Sequence, residues 1–103
     1  MLAQDICNRL KAHGLCKNDE EFSYHFLGKS DRYFSTVKSK GMELPLGSKT
    51  ILAARLSQLI ICLTQSEDSR RRYDLTINSL KGALNELRKE INQQSLKGFT
   101  GIH

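Results

Sequence analysis

The sequence predicts an all-α protein with two short helices joined by a tight turn near the N-terminus and a long helical hairpin at the C-terminus. Apolar residues recur three and four positions apart through much of the chain, which is the period of one helix face. Glycines at positions 14, 28 and 41 follow the first three predicted helices, where glycine adopts the left-handed conformation without steric cost. The only proline, Pro45, lies in the predicted loop before the hairpin. We therefore expect about five helices around one core.

Size and charge favour one domain with a basic surface near the middle of the chain. A length of 103 residues is enough for a single core without disulfides or metals. The formal charge is +5, from 16 basic and 11 acidic residues. Six basic and two acidic residues fall within 29–55, so this segment has a net charge of +4. Such a cluster is typical of a surface that contacts phosphates, although a solvated basic surface fits the same composition.

The sequence shows no signal for membrane insertion or export. No apolar run approaches the roughly 20 residues that span a bilayer. The first residues have neither a basic segment nor a small-residue cleavage site. We therefore expect a cytoplasmic protein without a membrane partner.

The three cysteines, Cys7, Cys16 and Cys62, indicate free thiols. An odd count without a Cys-x-x-Cys pair argues against a disulfide framework. Two histidines, His13 and His25, lie near the first two cysteines, but the spacing matches no zinc-finger pattern. No metal is expected, and buried thiols are the better interpretation.

The first predicted helix covers 2–15. Leu2, Ile6, Leu10 and Leu15 mark its apolar side, and the basic residues face away from it. The helix is expected to end at the first of the three glycines.

Two short helices are predicted between positions 19 and 41. In the first, 19–27, Asp19 is expected to cap the N-terminus, where the helix dipole favours negative charge. Ser30 is expected to cap the second helix, in which Phe34 and Val37 share one apolar face. The opposite face carries polar side chains that suit the edges of bases in a DNA groove. These side chains are Arg32, Ser35, Thr36 and Ser39.

The turn between these helices resembles the helix-turn-helix of the phage-repressor superfamily. Members show leucine, glycine, an apolar residue and serine at the turn, where this chain has Leu27, Gly28, Lys29 and Ser30. The apolar spacing on the second helix matches as well. The small residue expected four positions before the glycine is Tyr24 here, but Ser23 is adjacent, which fits the insertion of one residue.

The resemblance implies a small bacterial or phage regulator that binds double-stranded DNA sequence-specifically, with its second helix in the major groove. Arg32 is expected to contact a base, because its planar guanidinium can bind a guanine edge through two hydrogen bonds. Shorter base or phosphate contacts are expected from Ser35, Thr36 and Ser39. Contacts at the turn and to phosphates are expected from Lys29, Ser30, Lys38, Lys40 and Lys49.

The alternative is a helical protein–protein interaction module that retains this shape, such as a phage-encoded inhibitor or an antitoxin-like partner. Salt-dependent DNA binding by a basic groove face would distinguish the two. The sequence has no glycine-rich phosphate loop and no nucleophile–base constellation. We therefore expect neither an enzyme nor a cofactor.

The C-terminal half is predicted to contain two longer helices, at 48–64 and 67–93. Ser48 and Ser66 are expected to cap them. In the second helix, apolar residues follow one another by four, three, four, three and four positions, which is a heptad pattern. We call these residues the C-terminal seam: Tyr73, Ile77, Leu80, Leu84, Leu87 and Ile91.

The length of the last helix favours a homodimer through the C-terminal seam. About 27 helical residues span roughly 40 Å, more than the ~34 Å diameter of a compact domain of this size. Part of the seam would then be bare on a monomer. The alternative is an intramolecular hairpin with 48–64, and both hold if two hairpins form a four-helix unit.

These predictions divide the chain into three parts within one structural domain. The helix-turn-helix domain is 1–64, the dimerisation helix is 65–94, and a flexible tail is 95–103. The loop between the motif and the hairpin contains Met42, Leu44 and Leu46, which are expected to pack beneath the two short helices.

Overall fold

A computed structural model describes the backbone of residues 1–100 and the side chains of residues 1–94. Within this part the chain is helical and contains no strand, so the predicted all-α class is confirmed. A single π-helical turn, Phe22–Phe26, continues the short helix α2. The helices are α1 (Leu2–Ala12), α2 (Asp19–Glu21), α3 (Tyr33–Ser39), α4 (Leu46–Leu63), α5 (Glu67–Arg72) and α6 (Asp74–Thr100).

The core of the molecule is a hairpin of α4 and α6, with α1 packed against α6. Apolar side chains from these three helices pack together at its centre. The Arg9 guanidinium of α1 donates a hydrogen bond to the carbonyl of Ser79 on α6 at 3.0 Å. This bond joins the two helices at the edge of their contact. The fully buried aliphatic residues of these helices are Ile6, Leu10, Leu52, Leu56, Leu80, Ala83 and Leu87.

The predicted helix 67–93 is interrupted at Tyr73. This residue has φ −109° and ψ 25°, so α5 ends there and α6 begins with Asp74. The predicted start is confirmed, because the Ser66 hydroxyl accepts a hydrogen bond from the Ser69 amide at 3.0 Å. Tyr73 is 40% exposed and lies outside both helices, so it does not belong to the C-terminal seam.

The rest of the C-terminal seam is covered by the same chain. Ile77, Leu80, Leu84 and Leu87 are buried in the core, and Ile91 packs against its edge. The intramolecular hairpin is therefore present. The predicted dimer interface has no bare apolar seam to use at these residues, because their surface is already removed from water by α4 and α1.

Several predicted helix ends shift by a few residues. The first helix ends at Ala12 rather than at 15. Helix α4 begins two residues early, at Leu46 after Pro45, and Ser48 does not cap it. The Ser48 hydroxyl instead lies 3.2 Å from the Tyr33 hydroxyl.

The loop residues and the C-terminal tail depart in part from expectation. Leu44 is buried, but it lines a cleft with residues of α1 and α6. Met42 is exposed and Leu46 is half-buried. The predicted flexible tail at 95–103 is helical up to Thr100, since α6 continues to that residue, and 101–103 lie outside the described part of the chain.

The cysteines occupy two environments. Cys7 and Cys16 are buried and free, and burial raises the pKa of the Cys7 thiol to about 12. A thiol held in this protonated form is unreactive. Cys62 is free but exposed on α4, so the prediction of buried thiols is wrong at this position.

Helix α4 is the one described helix whose length and composition would suit a membrane span. Its 18 residues have a mean hydropathy of 1.3. A single helix of this kind is weak evidence for a membrane, since helices of soluble proteins pass the same test; in the described part of the chain 22% of this window is buried, and α4 packs against α6.

Candidate nucleic-acid interface

The two short helices and their turn form a compact unit at one end of α4. Helix α2 and the π-helical turn make the first helix, and α3 makes the second. Gly28 ends the first helix with a φ of 64°, a conformation that other residues adopt at a steric cost. The Lys29 amide then donates to the Ser23 carbonyl at 3.0 Å, which satisfies a carbonyl of the last turn.

The π-helical turn supplies the inserted residue that the sequence indicates. A π-helical turn holds one more residue than an α-helical turn, so the residues before Gly28 are shifted by one position around the helix axis. As a result, Ser23 faces the second helix and is fully buried, while Tyr24 is 65% exposed. The Ser23 hydroxyl accepts a hydrogen bond from the Phe34 amide at 2.9 Å and donates one to the Asp19 carbonyl at 3.1 Å.

The cap of the first helix is Asn18, not Asp19. The Asn18 side-chain oxygen accepts a hydrogen bond from the Glu21 amide at 2.8 Å. The Asp19 carboxylate points instead between two ammonium groups. It accepts a hydrogen bond from Lys11 of α1 at 2.8 Å and a second from Lys38 of α3.

The Asp19 carboxylate of α2 thus links α1 and α3, and it neutralises the charge of Lys38, a residue predicted to contact DNA. Hydrogen bonds from Lys11 and then Lys38 lower the pKa of Asp19 to about 2. The Lys38 ammonium also lies 4.8 Å from the centre of the Phe34 ring. Because both contacts hold Lys38 against the protein, the phosphate contact predicted for it does not fit this geometry.

Helix α3 begins two residues later than expected. Ser30 and Asp31 lie in an exposed turn, and the Ser30 carbonyl accepts a hydrogen bond from the Tyr33 amide at 3.1 Å. Arg32 occupies the N-cap position, which has no side-chain cap. The predicted cap by Ser30 is therefore wrong, because the turn needs two further residues before the backbone becomes helical.

The two faces of α3 separate as the sequence predicts. Phe34 and Val37 are buried, and the Phe34 ring packs edge-on against Phe22 with 4.8 Å between ring centres. Two hydroxyls on the outer face donate to backbone carbonyls one turn back, Thr36 to Arg32 and Ser39 to Thr36, each at 3.0 Å. The exposed side chains of this face are Arg32, Ser35, Thr36, Ser39 and Lys40.

Lys49 does not belong to the exposed basic surface. Its side chain is buried beneath α6, and its ammonium donates a hydrogen bond to Gln94 at 2.9 Å. It also pairs with Glu90 at 3.2 Å and Glu43 at 3.6 Å. The predicted phosphate contact of Lys49 is wrong, because its charge is balanced inside the fold.

A second basic surface lies beside the turn and includes two of the predicted contacts, Lys29 and Ser30. A cleft of about 720 Å³ is lined by residues of the first helix, the turn and α4. Lys29 stands at this cleft with its ammonium 5.6 Å from the centre of the Tyr33 ring. The one α4 residue in the lining is Arg55, which the sequence places in the basic cluster without assigning it a contact. The other residues of the lining are Tyr24, His25, Gly28 and Ser30.

Among the described side chains, no three His, Cys, Asp or Glu residues lie close enough together to hold a metal ion. His13, one of the histidines near the cysteines, instead shares a hydrogen bond of 2.9 Å with Thr76 on α6.

Comparison with protein families gives one assignment. Residues 3–100 match a family described only as of unknown function, DUF6626. The chain belongs to this family. The family match spans both the two short helices and the C-terminal hairpin. No curated protein and no solved structure matches the chain.

Proposed function

We propose that this protein binds double-stranded DNA through the exposed face of α3. The observation that supports the proposal most directly is the separation of the two faces of this helix. The apolar side, Phe34 and Val37, is anchored in the core, while the outer side carries short hydroxyls and one free arginine. Such a face is narrow enough for the major groove and offers donors and acceptors to the bases.

Arg32 is proposed as the base-reading residue. It lies at the N-terminal end of α3, which is the end that enters the groove in helix-turn-helix proteins. Within the described residues its guanidinium makes no hydrogen bond or ion pair, so no internal contact must break when it binds. Ser35, Thr36 and Ser39 supply shorter contacts from the same face.

The phosphate contacts are proposed to be fewer than the basic residues of the sequence suggest. Lys38 and Lys49 are paired with carboxylates inside the fold. Lys29, Lys40 and Arg55 remain exposed, and they lie on the turn, after α3 and on α4. Three phosphate contacts predict a slope near −3 for the logarithm of the binding constant against the logarithm of salt concentration.

One chain is proposed to be sufficient for DNA binding, because the C-terminal seam, through which a homodimer was predicted, is buried within that chain. The proposal is therefore a single chain that engages a single site, with modest affinity because one short helix makes few base contacts.

The test begins with selection of bound sequences from a random duplex pool, followed by anisotropy titrations of the selected duplex and a scrambled one. Arg32→Ala should weaken the selected duplex by about 1–3 kcal/mol and leave the scrambled duplex nearly unchanged. Lys40→Ala should weaken both equally. Lys17→Ala removes the same charge from an exposed position outside this face and serves as the control.

Two results would overturn the proposal. One is the absence of binding to any duplex at low ionic strength. The other is an equal effect of Lys17→Ala and Lys40→Ala, which would indicate general attraction to the basic protein rather than a site on α3.

A further inference from the structure

An apolar groove with a basic rim runs between α4 and α6, separate from the surface proposed for DNA. On α4 it is lined by Ser57, Ile60 and Ile61, which are three and four residues apart. On α6 it is lined at the same spacing by Leu84 and its neighbours. The cleft has a volume of about 500 Å³, and Ile60 and Leu84 form its apolar floor.

The groove continues towards the start of α6. A second cleft of about 370 Å³ shares Ile60 and Lys81 with the first and extends to Ile77 and Arg70. From Ile77 to Arg88 the groove follows about 16 Å of α6. This length matches about three turns of a helix laid along it.

One wall of the groove is apolar and exposed. Ile61 is 58% exposed at the edge of the floor, although isoleucine is usually removed from water. An apolar ridge from a partner would cover Ile61 and the floor together.

The rim of the groove is positively charged. Lys81 and Arg88 are two helical turns apart on the same side of α6, and Arg70 stands at the far end. Asp74 is the one carboxylate that lines either cleft. Three basic groups against one acidic group give the rim a net charge of +2, which complements a partner with carboxylates beside its apolar side chains.

We propose that this groove binds an acidic amphipathic helix of another protein. A third helix laid on α4 and α6 would bury Ile61 and place its carboxylates against Lys81 and Arg88. A second copy of the chain fits less well, because a twofold contact would bring two basic rims together. A bilayer also fits less well, since the floor is recessed and Ile61 alone projects.

The groove can be tested without disturbing the DNA surface. Tyr33 of α3 meets α4 at Ser48, and Ile61 lies thirteen residues further along α4, at a distance of about 20 Å. Arg55, the proposed phosphate contact on α4, lies six residues before Ile61, about 9 Å along the axis and on another side of the helix. Ile61→Asp changes an exposed side chain, so the fold is expected to persist. Leu75→Asp is the matched control, because Leu75 is 79% exposed and lines neither cleft.

The probe is a fluorescein-labelled peptide of about 18 residues, with leucine at helical spacing and glutamate at the flanking positions. A second peptide has lysine in place of each glutamate. We expect the acidic peptide to bind the full-length protein with micromolar affinity and the lysine peptide to bind at least tenfold more weakly. Ile61→Asp should weaken the acidic peptide at least tenfold, whereas Leu75→Asp should leave it unchanged.

The charged rim is tested separately with Arg88→Glu. This change should weaken the acidic peptide and strengthen the lysine peptide, while Lys89→Glu, on the next and exposed residue, should change neither by more than about twofold. Circular dichroism checks that each variant is folded.

Five results would overturn the proposal. The first two are no binding of the acidic peptide at 1 mM, on the order of the weakest specific complexes, and equal binding of the acidic and lysine peptides. The third is an equal effect of Ile61→Asp and Leu75→Asp on the acidic peptide. The fourth is concentration-dependent self-association that Ile61→Asp abolishes, which would assign the groove to a second copy of the chain. The fifth is binding to phosphatidylglycerol vesicles that depends on Ile61, which would replace the partner helix with a lipid surface.

Discussion

The Ser23 hydroxyl accepts a hydrogen bond from the amide of Phe34 at 2.9 Å, and this bond joins the two short helices inside the core. The amide is at the start of α3, where no carbonyl of the same helix can accept a hydrogen bond from it. The position of α3 on the protein therefore depends on one buried side chain of the preceding helix.

Ser23→Ala should destabilise the protein by about 1–3 kcal/mol. The substitution leaves the buried Phe34 amide without a partner while hardly changing the packed volume. Urea unfolding followed by circular dichroism measures the loss. Ser35→Ala, on the exposed face of α3, should stay within about 0.5 kcal/mol of the wild type. Equal midpoints for the two variants would show that the bond contributes nothing.

Stability should fall in acid because of Asp19. Its pKa is about 2 in the folded protein against an ordinary 3.8, since the folded state stabilises the charged carboxylate through Lys11 and Lys38. A carboxylate whose pKa is lower in the folded state stabilises the protein fully above about pH 4. This stabilisation is lost as the pH falls through the pKa of the folded state. Between about pH 5 and pH 2 the loss should be roughly 1–2 kcal/mol, after allowance for partial exposure.

Unfolding measured at several pH values tests this dependence. Asp19→Asn should be less stable than the wild type at pH 7 and should lose less stability on acidification. Asp5→Asn is the control, because Asp5 pairs with Arg9 on an exposed helix surface, where ion pairs contribute little. An unchanged acid dependence in Asp19→Asn would contradict the assignment.

The buried C-terminal seam predicts a monomer. Light scattering at tens of micromolar should give the mass of one chain, 11.7 kDa. Leu80→Asp should unfold the chain rather than release a folded monomer, because it places an unpaired charge in the intramolecular core. Leu75→Asp, which alters an exposed leucine of the same helix, should remain folded. A wild-type dimer that Leu80→Asp converts to a folded monomer would reverse this conclusion.

The sequence by itself determined the all-α class and the faces of the helices. The apolar period, the three helix-ending glycines and the Ser66 cap depend on neighbours within one turn, so they can be predicted locally. The same is true of Phe34 and Val37, whose spacing alone assigns them to the buried side of α3. The one-residue insertion near Ser23 was also visible in the sequence, because the small residue expected four positions before Gly28 occurs one position earlier.

Only the tertiary structure decided which partners the charged side chains and the C-terminal seam have. Lys38 and Lys49 look like free surface lysines in the sequence, yet their partners, Asp19 and Glu90, lie 19 and 41 positions away. The seam likewise needed the placement of α1 and α4 to show that one chain covers it. Local periodicity predicts which side of a helix is apolar. The element that packs against that side is decided by contacts between residues distant in the chain, and the free energies of those contacts cannot be read from a short stretch of sequence.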